Sequence, residues 1–130
     1  MGRFSDAQLT EIALALEALN SSFLWVIKKG DEPQENEHES WTPTSFKEKM
    51  LTNNKGMIVR GRVPQMKILN HPATGAFMTH CGWNSTLESF TVGVPMLTWP
   101  LFTEQFYNEK LVEVLGCGVK SWGRCVPQYF

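Results

Sequence analysis

The chain has 130 residues, 42% of them hydrophobic and 19% charged, and its net charge is −1. This length suits one domain around a single core, and the composition fits a globular protein rather than a disordered one. Without a basic field, neither nucleic acid nor an anionic membrane is an expected partner, so any anionic ligand must be held by local donors.

Ser5 reads as a helix N-cap, with Asp6 at the positive end of the helix dipole. Leu9, Ile12, Ala13, Leu16 and Leu19 recur at three- and four-residue steps and define an apolar stripe. Asn20, Ser21 and Ser22 end that helix. The apolar run Phe23–Ile27 then predicts a strand buried on both faces. Residues 30–42 are acidic and turn-rich, an exposed loop, and residues 44–50 after Pro43 suit a short helix.

Residues 56–61 read as a strand. Residues 65–70 form a short helix, with Pro64 in its first turn. A strand at 76–79 leads to a helix at 84–91 that ends at Gly93, and a strand at 95–99 is closed by Pro100. The helix at 104–115 takes Phe106, Leu111, Val114 and Leu115 as its apolar residues and stops at Gly116, before a last strand at 118–122. Strands alternating with helices predict βαβ units, hence an α/β fold with a mostly parallel sheet flanked by helices.

No apolar run approaches the roughly 20 residues needed to span a bilayer, and the N-terminus has no signal-peptide core, so a cytoplasmic location is expected. Cys81, Cys117 and Cys125 are too few and too widely spaced for a disulfide framework or a zinc site. The Asn-x-Ser/Thr matches at Asn20 and Asn84 carry little weight without a secretory signal. His38, in the acidic loop, and His71, before Pro72, read as solvated or structural.

The chemistry concentrates at Thr79-His80-Cys81-Gly82-Trp83-Asn84-Ser85-Thr86-Leu87-Glu88. This is a strand end, a tight turn and a helix start. Ligands of parallel sheets bind beyond the carboxyl ends of the strands, and a helix N-terminus offers unpaired N–H groups that favour phosphate. His80, Asn84 and Ser85 add side-chain donors, so a diphosphate fits there without a lysine. A competing reading takes Ser85 and Glu88 as the Ser-x-x-Glu of a capping box, with His80 structural and Trp83 in the core. Spacing alone leaves both open.

Residues 62–105 closely resemble the signature box of plant family-1 UDP-sugar glycosyltransferases, in length and without a gap. The run His-Cys-Gly-Trp-Asn-Ser at 80–85, Glu88, Pro64-Gln65, Gly-Val-Pro-Met at 93–96, Trp99-Pro100 and Glu104-Gln105 all fall in register. The likeness extends on both sides, from about Phe4 to Trp122. It implies a Rossmann-like partial UDP-sugar-binding domain over residues 1–122, the C-terminal half of a GT-B glycosyltransferase, with 123–130 an unmatched tail.

The resemblance also implies roles. Arg62 would stack on uracil and the Val63 backbone would pair with the base edge. Gln65 and Glu88 would contact the ribose hydroxyls. His80, Asn84 and Ser85 would hold the diphosphate, and Trp83, Glu104 and Gln105 would read the sugar. Gln105 resembles the last residue of UDP-glucose users. The implied reaction is a metal-free, inverting glucosyl transfer from UDP-glucose to a hydroxyl of a small plant metabolite, with no cofactor. The catalytic base and the acceptor site belong to the family's N-terminal domain, so no catalytic residue is assigned here.

Two departures stand out: position 62 is Arg where the family has Trp, and the tail does not follow the family. The family's first strand of this domain, central in its sheet, is expected to precede this chain. Strands at 23–29 and 56–61 would then lie on one side of a gap, and those at 76–80, 95–100 and 118–122 on the other. The alternative to an enzyme is an inactive UDP-sugar-binding or interaction remnant. An unrelated dinucleotide-binding domain has only Gly116-x-Gly118 in its favour, and that pair follows a helix rather than opening one. Central strands with an unpaired edge predict incomplete amide protection. In hydrogen exchange, uniformly strong protection of 23–29 and 76–80 would contradict the gap.

Overall fold

The computed structural model describes residues 4–19, 21–27 and 44–120, so the acidic loop at 30–42 and the tail at 123–130 lie outside the described residues. The chain divides between Val63 and Pro64 into two compact units.

The first unit runs α1 (Asp6–Ala18), β1 (Phe23–Ile27), α2 (Thr44–Asn53) and β2 (Gly56–Arg60). Ser5 caps α1 as expected: its Oγ accepts from the Gln8 N–H at 3.3 Å, and Gln8 Oε1 accepts from the Ser5 N–H at 2.9 Å. This reciprocal pair satisfies two groups that the helix start leaves open. Leu9, Ile12 and Ala13 of the predicted stripe are buried. Leu19 is exposed, because the helix ends at Ala18 and Leu19 turns to extended backbone.

β1 and β2 pair in parallel, from Phe23 opposite Gly56 to Ile27 opposite Arg60. Side chains alternate across a strand, so Phe23, Trp25 and Ile27 share one face. That face carries the core: Leu9 and Ile27 are buried together with Phe4, Trp25 and Ile58 packed on them. The buried Phe46 of α2 stacks on Phe23 at 5.9 Å between ring centroids and meets Trp25 edge-on at 6.3 Å. The expectation of burial on both faces is therefore corrected. α1 and α2 both cover the Phe23/Trp25/Ile27 face, while Leu24 and its partner Met57 are exposed on the other. A salt bridge of 2.6 Å from Lys49 to Glu17, joined by the Ser45 hydroxyl, ties the two helices and holds the Glu17 carboxyl below its usual range.

The second unit runs α3 (Gln65–Leu69), β3 (Phe77–Thr79), α4 (Trp83–Val92), β4 (Met96–Thr98), α5 (Glu104–Val114) and β5 (Gly118–Lys120). Its three strands pair in parallel in the order β3-β4-β5, a sheet separate from β1-β2. The strands thus group as expected, two and three. Pro64 is the N-cap residue of α3 rather than its first turn.

α4 stops at Gly93, whose φ of 73° is left-handed, and the buried Ser89 hydroxyl donates to the Val94 carbonyl at 2.7 Å. α5 stops in a Schellman motif at Gly116, with Cys117 N–H donating to Val112 and Gly116 N–H to Glu113. The apolar face predicted for α5 is also corrected. Leu111, Val114 and Leu115 are exposed and Phe106 is half-buried, whereas Val112 is fully buried. Val112 packs over Gly118, where an added Cβ would lie 2.8 Å from its Cγ1 and against the Met96 carbonyl.

In the first unit the Phe23 ring occupies the space above Gly56, and any Cβ there would overlap it. Gly56→Ala is expected to displace the ring from Phe46 and lower stability by about 1–3 kcal/mol, read as the urea midpoint of the 130-residue chain. An unchanged midpoint would show that the ring yields freely.

Candidate nucleotide-sugar site

β3 ends at Thr79, and the chain passes through His80, Cys81 and Gly82 directly into α4. Cys81 adopts a left-handed φ of 65°, a conformation that costs a residue with a side chain. Three observations hold it. Its N–H donates to the Thr79 hydroxyl at 3.2 Å, its carbonyl accepts from Nδ2 of Asn108 on α5 at 2.8 Å, and its side chain is completely buried. Burial, and then the nearby negative charge of Glu109, push the Cys81 thiol up to about 12 against the lowering hydrogen bond from the Trp99 backbone.

Gly82 is the N-cap residue of α4, and no side chain caps the helix. Its missing side chain leaves room for the imidazole, because a Cβ would sit 2.7 Å from Nε2 of His80. The imidazole therefore lies against the helix start. The first turn of α4 contains no acidic residue, and the helix's first N–H groups are not taken by a cap. This is the arrangement in which a helix N-terminus accepts an anion. Trp83 and Asn84, the first two helical residues, are exposed there.

The capping-box reading of Ser85 and Glu88 does not hold. Because the helix begins at Trp83, these residues lie inside it, and both side chains turn to Gln65 instead. Gln65 Nε2 donates to Glu88 Oε2 at 2.7 Å and to Ser85 Oγ at 3.2 Å. Three of the predicted site residues thus form one half-buried cluster joining α3 to α4.

Glu104 and Gln105 open α5. Glu104 is exposed, while Gln105 is only 4% exposed. Oε1 of Gln105 accepts from the N–H groups of Leu101 at 2.8 Å and Phe102 at 3.3 Å, and so closes the loop after β4. Its amide nitrogen has no partner among the described residues. Arg62 and Val63 follow β2 in the first unit, Arg62 exposed and Val63 half-buried. Thr79 and Cys81 lie in the stretch singled out from sequence but were given no role there, and Asn108 was not singled out, although an Asn inside a helix is a poor helix former and so a mild signal of a specific task. A surface hollow of about 380 Å³ lined by Met66, Lys67, Asn70, Thr91 and Val92 involves the far end of α4 and is not part of this turn. Among the described residues no helix is long and apolar enough to cross a membrane.

A parallel βαβ unit with an open helix N-terminus directly after a strand is an arrangement that can accept a phosphate. The family described as UDP-glucoronosyl and UDP-glucosyl transferase matches residues 1–125, and the chain belongs to it. A nuatigenin 3-beta-glucosyltransferase of Solanum aculeatissimum is 58% identical over 118 residues, covering 91% of this chain and 22% of that protein. Among solved structures, UGT73P12 of Glycyrrhiza uralensis, complexed with glycyrrhetinic acid 3-O-monoglucuronide, superposes with a TM-score of 0.82 at 43% identity, over 95% of this chain and 25% of that one. UGT71G1 of Medicago truncatula, complexed with UDP-glucose, gives 0.77 at 42% identity over 90% of this chain and 24% of that one. The chain therefore spans about a quarter of the length of these relatives, and its α/β fold is the Rossmann-like arrangement they contain.

The thiolate is the reactive form of cysteine. With its pKa raised to about 12, buried Cys81 is expected to resist alkylation at pH 8 in the folded chain, while the partly exposed Cys117 reacts. Mass spectrometry of timed iodoacetamide labelling checks this, and equal labelling of the two residues would mean that the turn opens readily.

Proposed function

We propose that this chain supplies the donor-binding part of a UDP-glucose-dependent glucosyltransferase that acts on a hydroxyl of a small plant metabolite. The observation that carries the reading is the uncapped start of α4, with the His80 imidazole held against it and the Gln65–Ser85–Glu88 cluster beside it on the same helix.

In the proposed reaction the acceptor oxygen bonds to the anomeric carbon as the bond from that carbon to the diphosphate breaks. The electron pair leaves on the diphosphate and configuration inverts. The first N–H groups of α4 and the side chains of His80, Asn84 and Ser85 stabilise that developing charge through fixed donors that need no reorganisation. These donors make a metal ion unnecessary for the leaving group, so the proposal includes no cofactor. Glu88 suits the ribose because a carboxylate accepts from two vicinal hydroxyls, and Gln65 already orients one of its oxygens. Arg62 offers a guanidinium plane for the base, and the Val63 backbone its edge contacts. Trp83, Glu104 and Gln105 are assigned to the glucose hydroxyls. For Gln105 the support is a buried amide nitrogen without a partner among the described residues, a group that costs free energy until a ligand oxygen meets it.

The general base and the acceptor pocket are assigned to the rest of the protein. A second reading, donor binding without turnover, is favoured by Arg62, whose flexible side chain recovers only part of the roughly 1–3 kcal/mol of a base–aromatic stack.

The test is a UDP-glucose titration of the 130-residue chain followed by amide NMR. Saturable shifts at residues 62–65, 80–88 and 104–105 are expected, unaffected by EDTA. Glu88→Ala and His80→Ala should each weaken binding about tenfold. Absence of any response at millimolar donor, a scale of about −4 kcal/mol, would remove the proposal. With binding established, a glucosyl-transfer assay of the whole protein separates the enzyme from the binding-only reading.

A further inference from the structure

We propose that Asn108 is a positioning residue for the diphosphate, an inference that rests on the donor-binding reading above. Asn108 lies in the middle of α5, and its Nδ2 donates at 2.8 Å to the carbonyl of Cys81, 27 positions earlier. That carbonyl belongs to the peptide joining Cys81 to Gly82. A trans peptide is planar, and its N–H points opposite to its C=O. Binding the carbonyl toward α5 therefore aims the Gly82 N–H away from α5, and this N–H has no partner among the described residues.

The same bond anchors the carbonyl end of Cys81, a residue with a left-handed φ of 65°. The bond from the Cys81 thiol to the Thr79 carbonyl, at 3.8 Å, is long and does not engage the Cys81 backbone. The Thr79 hydroxyl grips the Cys81 N–H at 3.2 Å. Asn108 grips the other end of the residue, so the two bonds clamp it from either side. Downstream of the clamp lie Gly82 and the first turn of α4; upstream lies His80, whose Nε2 rests on Gly82. Loss of the Asn108 bond lets the peptide rotate and misdirects the backbone donors and the imidazole together. Asn108 makes no contact with the donor in this scheme and acts only through the turn.

The experiment uses the full 130-residue chain carrying Asn108→Ala, Asn108→Asp, Cys81→Gly and the Asn108→Ala/Cys81→Gly pair. UDP affinity is measured by titration, and the Cys81 backbone conformation by its NMR couplings and carbon shifts without ligand. Asn108→Ala and Asn108→Asp are expected to weaken UDP about 3- to 10-fold, the worth of one hydrogen bond, and to erase the left-handed signature at Cys81. Asn108→Asp keeps the side-chain shape while removing the donor, and it decides the matter if the alanine variant does not fold. Glycine adopts positive φ without cost, so adding Cys81→Gly to Asn108→Ala should restore most of the affinity relative to Cys81→Gly alone. A merely structural role for Asn108 predicts no such rescue. Wild-type binding matched by both Asn108 variants overturns this inference alone, as does weakened binding that Cys81→Gly fails to relieve. A wild-type chain that does not bind UDP overturns the donor-binding reading and this inference with it.

Discussion

The turn from His80 to Gly82 is the constraint on which the second unit depends. It must carry the chain from the end of β3 into α4 within three residues, and it does so through a left-handed cysteine followed by a glycine that lies under the His80 ring. A left-handed residue with a side chain costs on the order of 1–2 kcal/mol, and strain of this kind persists where surrounding contacts over-determine it. Here the Thr79 hydroxyl, the Asn108 amide and complete burial of Cys81 supply those contacts. A relaxed turn with Ser or Asp at the N-cap would be more stable locally, but its side chain would take the helix donors that a ligand needs.

The first unit solves a different problem, packing two helices on a two-stranded parallel sheet. Parallel sheets are ordinarily covered on both faces, yet α1 and α2 share one face here, and Leu24 and Met57 are left exposed on the other. The covered face depends on Phe46, whose ring is held by Phe23 and Trp25, and on the absence of a side chain at Gly56, which lets Phe23 lie across the neighbouring strand. Cross-strand rescue of a glycine by an aromatic ring is a known way to stabilise a strand that has lost its own side-chain contacts.

Sequence patterns revealed what is decided locally. The Ser5 cap, the helix stops at Gly93 and Gly116, and the order of elements each depend on residues within one or two turns of each other, and all were legible. The errors fall where distance in space decides. Ser85-x-x-Glu88 has the spacing of a capping box, and only the start of α4 at Trp83 shows that the pair faces Gln65 instead. In α5 the apolar residues 111, 112, 114 and 115 surround much of the helix, so periodicity could not select Val112; the bare backbone of Gly118 does. Asn108 carried only the mild signal of an Asn inside a helix, because its partner is a backbone carbonyl, which leaves no trace in residue type. The site motif was readable as a resemblance, whereas the clamp that holds it was readable only as a structure.

The N-termini of α4 and α5 differ in a way that bears on how a nucleotide sugar would lie. Both α4 and α5 follow strands of one parallel sheet, so both begin at its carboxyl edge. α4 starts with no acidic residue and no capping side chain, which leaves its positive end available to an anion. α5 starts with Glu104, and the N–H groups of Leu101 and Phe102 just before it are occupied by Gln105 Oε1. A phosphate beside Glu104 would meet a like charge and find those two donors already used. A neutral polyol suits that end, because a carboxylate accepts from hydroxyls and a buried amide nitrogen donates to them. The asymmetry favours the diphosphate at α4 and the sugar toward α5. The Asn108 bond to Cys81 joins α5 to the turn that opens α4, so in the proposed reading it would set the spacing between the charged and uncharged halves of such a ligand.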